Sequence, residues 1–383
     1  MKVTQIHELL NTVTNEVLGT ENLVKEDLTN LVDVGTEIIN ADKIDNYVNK
    51  LVHHIGKVQF NNEKYSGKAK NVLMDSWEYG AILQKIDAEL PTASENDTWN
   101  LVDGKSYDPN IFYQPKVTSQ FFDSKVTFEI PISFAENQVK GSFTNAEQMN
   151  GFLSMLTNSV DTSFTIKLDE LIMRTINNYI GTVIDKKDPN TSVNLLNLYN
   201  KSTGETLKAE KCLTNAQFLR YANFIINTYI GRITRISTLF NIGKRERFTN
   251  VENTNLLLLN DFVNSSNVFL QADVRHNEFT GISGVETVPY WQGSGNGYNF
   301  NDISKIDVKV NDGTKAGKDV TQTGILGVLF DRKALGVTNL DRRVTTNYNP
   351  KAEFYTNFYK ADSGYFNDFN QNFIVFYVED VSE

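Results

Sequence analysis

The sequence predicts an α+β fold, in which helices and strands alternate without the regular spacing of βαβ units. Three observations lead to this class. An apolar stripe with helical spacing runs over residues 149–180, and apolar and polar residues alternate strictly over 126–133. Two apolar runs, at 324–330 and 373–378, have the length and composition of buried strands.

The N-terminal region contains short apolar patterns with helical spacing, separated by polar breaks and interrupted at Gly19 and Gly56. Helices of this kind predict an arm that becomes ordered against a partner. Further on, Pro91, Pro109 and Pro115 lie among polar residues. This stretch is predicted to be an exposed, extended loop with little packing of its own.

The alternating segment at 126–133 is the clearest strand, and residues 117–122 are also strand-like. With Asp123-Ser124 as a turn between them, the two segments are predicted to pair as a long two-stranded hairpin. Pro131 has no N–H to donate to a ladder, so this strand should have a free edge. A lone two-stranded hairpin is marginally stable in water, and it therefore needs another surface to lie on.

The apolar stripe at 149–180 predicts one long helix. Thr144 and Glu147 form a capping-box pattern before it, and Gly181 is the expected stop. Such a helix would be ~54 Å long, longer than one small core requires. The next segments predicted are a helix from near Thr214, a strand at 256–259, a helix at 261–271 and strands at 285–288 and 306–310.

Composition narrows the classes of function. A chain of 383 residues is long enough for two or more packed units. Its formal net charge is -10, and so acidic a chain is not expected to wrap nucleic acid through bulk electrostatics. The single cysteine, Cys212, excludes an intrachain disulfide framework. We expect neither a membrane span nor a secretory signal, because no apolar run has the required length or position.

The residue types that usually carry catalysis form no recognisable constellation. The histidines are His7, His53, His54 and His276. With one cysteine they match no zinc motif. A Gly-x-Gly-x-Gly stretch at 293–297 lacks the rest of a P-loop and is interpreted as a flexible loop, and Cys212 is interpreted as a small buried hydrophobe. Acidic pairs would permit a glycosidase, but nothing selects one pair. We therefore expect no enzyme activity, no cofactor and no metal.

Two basic clusters stand at 244–247 and 341–343. Arginine favours bidentate pairing with carboxylates, so in an acidic chain these clusters are expected to form salt bridges within or between subunits. Phosphate binding stays open as the alternative.

The order of these parts resembles that of tailed-bacteriophage major capsid proteins, which share the Hong Kong 97 capsid fold. Ser142-Phe-Thr-Asn-Ala-Glu147, leading into Phe152-Leu-Ser-Met-Leu156, is similar to the family's passage from its extended loop into the spine helix. Asp331-Arg-Lys-Ala-Leu-Gly336 is similar to a stretch near the end of related capsid proteins, and Tyr359-Lys-Ala-Asp-Ser-Gly-Tyr-Phe-Asn-Asp368 shares their aromatic and polar character.

The resemblance implies a Hong Kong 97-like capsid fold with an N-terminal arm, an extended β-hairpin loop, a long spine helix, and peripheral and axial domains. The implied boundaries are 1–55 for the arm, 56–94 and 141–212 for the peripheral domain with the spine helix at 143–182, 95–140 for the extended loop, 213–345 for the axial domain, and 346–383 for a C-terminal return with the closing strand.

The implied function is structural. The chain would self-assemble, as hexamers and pentamers, into an icosahedral or prolate head shell around phage DNA. Its partners would be a scaffolding protein, a portal and packaged double-stranded DNA held without sequence-specific binding, with no membrane involved. Assembly would take place in the host bacterial cytoplasm, and the protein would reside in the virion. The inter-subunit contacts are predicted at Phe121, Phe122, Phe128, Arg342 and Arg343.

Other functions stay open from the sequence. An encapsulin-like nanocompartment shell would share the fold and would be indicated by an enzyme cargo. Another virion component, such as a tail or host-binding protein, would form filaments or trimers or bind glycans. An enzyme would need one carboxylate whose substitution abolishes turnover and leaves assembly intact.

Overall fold

The computed structural model describes residues 69, 72–74, 83–135, 146–269, 284–292, 299–310 and 317–380, with short gaps between 92 and 109, and four positions near the N-terminus. The predicted arm at 1–55, apart from those four positions, lies outside the described residues. So do Thr144 of the capping box and the Gly-rich loop at 293–297.

Helices and strands both contribute to the described part of the chain, which confirms the α+β class. The helices are α1 (Ala146–Lys186), α2 (Leu195–Thr203), α3 (Ala216–Ile233), α4 (Asn260–Phe269) and α5 (Phe300–Ile303). The strands are β1 (Leu73–Met74), β2 (Leu83–Ala88), β3 (Val117–Phe122), β4 (Lys125–Ala135), β5 (Ser192–Asn194), β6 (Thr254–Leu259), β7 (Gly284–Val288), β8 (Ile306–Val310), β9 (Lys318–Gln322), β10 (Ile325–Asp331), β11 (Leu335–Asn349), β12 (Phe354–Asn367) and β13 (Phe373–Tyr377).

The chain divides into two compact units. The first comprises residues 1–76, 125–174 and 337–364. It contains a four-stranded sheet with the order β1-β11-β12-β4, in which β4 pairs antiparallel with β12 along its whole length. Pro131 therefore lies on a strand at the edge of the sheet, where a missing N–H removes no ladder bond. Within the described residues, the predicted free edge of this strand is confirmed.

The second unit comprises residues 77–124, 175–336 and 365–383. Its five-stranded sheet has the order β5-β13-β10-β6-β7, and two-stranded sheets are formed by β2 with β3 and by β8 with β9. All seven residues of β10 are buried, as are all six of β6. A strand covered on both faces is apolar without alternation, which is why the run at 324–330 correctly predicted a central strand.

The predicted hairpin of residues 117–122 and 126–133 is wrong. β3 pairs with β2, from Val117 opposite Ala88 to Phe122 opposite Leu83, whereas β4 pairs with β12. Alternation shows which side chains share a face of a strand, but it does not identify the neighbouring strand. Asp123 and Ser124 therefore connect strands of two different sheets.

The predicted end of the long helix at Gly181 is also wrong. α1 has 41 residues, about 60 Å at the usual rise, and continues to Lys186. A Cβ atom at Gly181 would lie 2.5 Å from Cγ2 of Val308 and 2.8 Å from Cγ1 of Val310. Gly181 is thus needed for close approach of β8 to the helix, and it does not cap the helix. The apolar stripe from Val160 to Ile180 is buried as expected.

Strand β12 was not predicted from the sequence, although it has 14 residues. Its inward-facing positions include Tyr355, Asn357, Tyr359, Ala361 and Ser363, all of them buried. Asn357 is fully buried and Ser363 is 1% exposed. Because polar residues occupy part of the inner face, the hydrophobic alternation that marks a half-buried strand is missing.

Two glycine substitutions test the close packing of α1. Gly181→Ala should lower the free energy of unfolding by about 1–3 kcal/mol, because the added methyl overlaps two β-branched side chains. Gly231 lies in α3, and no atom lies within 4 Å of the Cβ that Gly231→Ala would add. This substitution should instead raise the free energy of unfolding by about 0.5–1 kcal/mol, because alanine has less backbone entropy to lose on folding than glycine. Urea unfolding of the purified chain measures both, and stabilisation by both substitutions would contradict the packing described.

Candidate subunit contact surface

Residues 90–115, here called the extended segment, form the exposed part of the connection between β2 and β3 in the second unit. Every residue of this segment that the structure describes is exposed. Trp99 is 94% exposed, Phe112 84% and Tyr113 82%. The other large apolar side chains exposed here are Leu90, Leu101, Val102, Tyr107 and Ile111. A concentration of exposed apolar side chains of this size marks an interaction surface.

The two strands β2 and β3 are here called the ribbon, together with Glu89 and Lys116, which prolong them through a hydrogen bond from the Glu89 N–H to the Lys116 carbonyl. The ribbon also carries apolar side chains on its outer face. Residues of β2 alternate between half-buried and exposed positions. Ile86 and Phe121 are each 64% exposed, and Val117 is 57% exposed. Ile86 lies opposite Ser119, and Phe121 lies opposite Gln84. The outer face of the ribbon therefore presents aliphatic and aromatic side chains to solvent.

The inner face of the ribbon is charged. Lys85, Asp87 and Glu89 are spaced two residues apart and point to the same side. Each forms an ion pair with the body of the second unit; together we call these pairs the ionic ladder. They join Lys85 Nζ to Asp368 Oδ2 at 3.2 Å, Asp87 Oδ2 to Arg247 Nη2 at 2.7 Å, and Glu89 Oε1 to Arg245 Nη1 at 2.6 Å. Over residues 85–88 of β2 the usual arrangement of a surface strand, apolar inside and polar outside, is reversed, whereas Leu83 and Phe122 keep apolar side chains on the inner face.

Lys85 occupies the most buried position of the ladder. Its Nζ lies 4.1 Å from the ring centroid of Phe366 and 5.4 Å from that of Phe122, and it also donates to the carbonyl of Lys333. Burial lowers the pKa of Lys85, although the charge and hydrogen bond of Asp368 act in the opposite direction. The side chain of Asp368 is fully buried, so Lys85 supplies positive charge to a carboxylate that has no solvent contact.

Asp368 belongs to a turn that is fixed to the core. The hydroxyl of Tyr179 on α1 donates to the carbonyl of Asp368 at 2.9 Å, and the Tyr179 ring stacks on Phe373 with centroids 3.9 Å apart. Burial raises the pKa of Tyr179, which keeps the hydroxyl a donor. The N–H of Asp368 donates to the carbonyl of Ala334. The ribbon is thus held by a residue with several independent contacts to the five-stranded sheet and its helix.

The three predicted phenylalanine contacts occupy different environments. Phe121 is exposed on the outer face of the ribbon. Phe122, the next residue, is half-buried and its ring lies 5.1 Å from that of Phe366. Phe128 is half-buried on β4 in the first unit, opposite Ala361. The structure therefore does not bring the three together on one hairpin, and their inter-subunit role stays a prediction.

The two predicted arginine contacts have partners within the first unit. Arg342 lies 3.9 Å from Asp161 of α1 and 5.3 Å from the ring centroid of Phe164. Arg343 binds both oxygens of Asp362, at 2.5 and 3.4 Å. Burial alone would raise the pKa of Asp362, but the hydrogen bonds and charge of Arg343 outweigh it and lower the pKa. These contacts leave a role towards a neighbouring subunit untested.

The predicted salt bridging of the basic clusters is confirmed within the chain. Lys244 pairs with Asp188, and Arg245 and Arg247 hold the ribbon. The partners of Arg245 and Arg247, which are Glu89 and Asp87, were not predicted from the sequence. Charged residues at 85, 87 and 89 alternate with apolar or small ones, and this period-two pattern was a usable signal for a strand with one charged face.

Among the described residues, no group of three or more His, Cys, Asp or Glu side chains is placed so that it could hold a metal ion. Cys212 is fully buried, as interpreted from the sequence. Burial, assisted by the charge of Asp380, raises the pKa of its thiol to about 12. In this part of the chain no helix has the length and apolarity to span a membrane.

Removing the cation of the buried ladder position should destabilise the second unit. Lys85→Met leaves Asp368 buried without its ion pair, and a loss of about 3 kcal/mol in the free energy of unfolding is expected. Lys360→Met is the matched control: Lys360 pairs with Glu129 at 3.1 Å on the surface, and its loss should cost under about 1 kcal/mol. Urea unfolding distinguishes the two, and equal losses would contradict the anchoring role of Lys85.

Comparison with known proteins identifies the family. The family model for the Phi29-like phage major capsid protein matches residues 10–377, whereas no curated protein matches the sequence. The capsid structure of Staphylococcus phage Andhra is similar with a TM-score of 0.55 and 11% identity, over 83% of this chain and 86% of that chain. The structure of head fiber and inner core protein gp22 of native bacteriophage P68 is similar with a TM-score of 0.51 and 8% identity, over 84% and 86% of the two chains.

At these identities the structural likeness shows the fold alone, and it confirms the phage capsid fold that the sequence resemblance implied. The family match extends over nearly the whole sequence and agrees with that fold. The chain therefore belongs to the family of Phi29-like phage major capsid proteins.

Proposed function

We propose that this major capsid protein builds the phage head shell by placing its extended segment and the outer face of its ribbon on a neighbouring copy of itself. The observation that carries the proposal is the polarity of the ribbon, which is reversed over residues 85–88 of β2. Its charged face is turned towards its own chain, and its apolar face, with Ile86, Val117 and Phe121, is turned to solvent.

The size of the exposed apolar surface supports a protein partner. Trp99, Phe112 and Tyr113 are each more than 80% exposed, and fully burying one such side chain contributes roughly 1.5–3 kcal/mol. Aromatic residues of this kind dominate the energetics of protein interfaces. In a closed shell every subunit has neighbours, so the same surface is covered in each copy without a second protein.

The domain roles follow the resemblance to capsid proteins. We propose α1 as the spine helix and residues 1–55 as the N-terminal arm. The proposed peripheral domain comprises residues 56–94 and 141–212, and the proposed C-terminal return comprises 346–383. Of the proposed axial domain 213–345, residues 213–336 lie in the second unit and 337–345 in the first.

The proposed extended loop at 95–140 needs one adjustment. Residues 95–122 include most of the extended segment and β3, which fit the role. Residues 125–135 form β4, a paired strand of the first unit's sheet, and are better assigned to that sheet. Deleting residues 117–133 would remove β3, which pairs with β2, and most of β4, which pairs with β12. Substitutions in the extended segment therefore test the proposed surface without disturbing either sheet.

The finer partners are also proposals. We propose that the subunits form hexamers and pentamers, that a scaffolding protein and a portal take part in assembly, and that the shell encloses double-stranded DNA without reading its sequence. The net charge of -10 supports the last point, because a strongly basic shell would hold its contents tightly. We propose no catalytic role, and assembly in the host bacterial cytoplasm before the protein resides in the virion.

The family match favours the phage head over the encapsulin-like compartment and over a tail or host-binding component. No observation in the described residues favours either alternative, and neither is carried further.

Replacing the three exposed aromatic residues tests the proposed surface. A Trp99→Ser, Phe112→Ser, Tyr113→Ser variant should keep the thermal midpoint of the unassembled chain, because these side chains pack against no core. It should form few or no closed shells when it is expressed with its scaffold and viewed by electron microscopy. Gln114→Ser, in the same segment, is the matched control and should form normal shells. Normal shells from the triple variant would refute the proposal.

A further inference from the structure

We infer that the ionic ladder is a positioning device that sets the direction in which the extended segment leaves its own subunit, and that shells close only when the ladder is formed. The inference rests on the proposed function, since it assigns a task to residues that face away from the proposed contact. Lys85, Asp87 and Glu89 act here through the extended segment that they orient.

Exposure increases along the ladder towards the extended segment. The side chains of Lys85 and Asp368 are 18% and 0% exposed, those of Asp87 and Arg247 are 32% and 22% exposed, and those of Glu89 and Arg245 are 41% and 39% exposed. The buried Lys85–Asp368 pair is therefore little screened by salt, whereas the more exposed Asp87–Arg247 and Glu89–Arg245 pairs are screened more strongly. The part of the ribbon beside the extended segment is held by contacts that can be broken without unfolding the unit.

The cationic side of the ladder is fixed in place by its own backbone. Ser237 and Arg247 exchange both backbone hydrogen bonds, each 3.0 Å long. The buried side chain of Asn241 accepts from the N–H of Arg245 and donates to its carbonyl, both at 2.8 Å. Two arginines are thus presented two residues apart, which matches the spacing of Asp87 and Glu89 on the ribbon.

At the end of the ribbon beside the extended segment, ion pairs and not apolar packing determine how the ribbon lies on the second unit. An apolar contact would tolerate a range of ribbon directions, because burial is not directional. Two arginine–carboxylate pairs at a fixed spacing are satisfied in one register only. Since the extended segment begins directly after Glu89, a change in this register would move the whole proposed contact surface.

The test is a set of charge reversals in the full chain. Glu89→Arg and Arg245→Glu are made singly and together, and Asp87→Arg and Arg247→Asp likewise, so that each double variant restores an ion pair with opposite orientation. Glu129→Lys with Lys360→Glu, an exposed pair of the first unit, is the matched control. Two properties are measured: the yield of closed shells by electron microscopy, and the distribution of distances between spin labels at introduced Ser106→Cys and Asn227→Cys. Cys212 is buried and should remain unlabelled.

Each single reversal should broaden the distribution of distances between the spin labels and cause loss of closed shells. For the two reversals at the more exposed Glu89–Arg245 pair, the thermal midpoint of the unassembled chain should change little. Each double variant should restore a narrow distribution and the shells. The control reversals should change neither.

The outcomes separate this inference from the proposed function. Normal shells from the single reversals, together with failure of the Trp99, Phe112 and Tyr113 variant, would overturn the ladder's role and leave the contact surface intact. Loss of shells that the double variants do not recover would also overturn it, because charge complementarity would then not be the cause. Normal shells from both kinds of variant would refute the proposed function itself.

Discussion

The subunit faces its own core with the charged side of a two-stranded ribbon and faces solvent with the apolar side. The free energy of burying Ile86, Val117 and Phe121 is not gained when the single chain folds, and it becomes available only when another surface covers them. The charged side chains of the same ribbon are satisfied within the chain by three ion pairs. The ion pairs and the exposed apolar side chains thus lie on opposite faces of one small sheet.

The inner pair connects this ribbon to the most buried part of the second unit. Asp368 is reached by Lys85 from the ribbon and by the Tyr179 hydroxyl from α1, and its N–H is bound by Ala334 beyond β10. A change at Asp368 would therefore affect the ribbon, the long helix and the central strand together. The extended segment has no comparable support, because its described residues are exposed and its internal contacts are local, such as that of the Val102 N–H to the Tyr107 hydroxyl.

Elements with one strong local pattern could be predicted from the sequence. The buried runs at β6, β10 and β13 and the stripe of α1 are apolar because each is covered by protein. The partner of β4, the extension of α1 past Gly181 and the existence of β12 depend on contacts distant in sequence, and no local pattern records them. Phe121 was predicted as a contact residue and is exposed, but its role towards a neighbouring subunit stays a prediction. The ionic ladder joins residues between 156 positions apart, for Glu89 and Arg245, and 283 positions apart, for Lys85 and Asp368, and only the fold brings them together.

A reconstruction of the assembled shell by electron cryomicroscopy, at a resolution that shows side chains, would reveal which face of the ribbon meets a neighbouring copy. We predict that Trp99, Phe112, Tyr113 and Phe121 of one copy are buried against a neighbouring copy, while Lys85, Asp87 and Glu89 keep their partners within their own chain. Finding those aromatic side chains exposed to solvent in the closed shell would contradict it, as would finding the charged face of the ribbon paired with a neighbour.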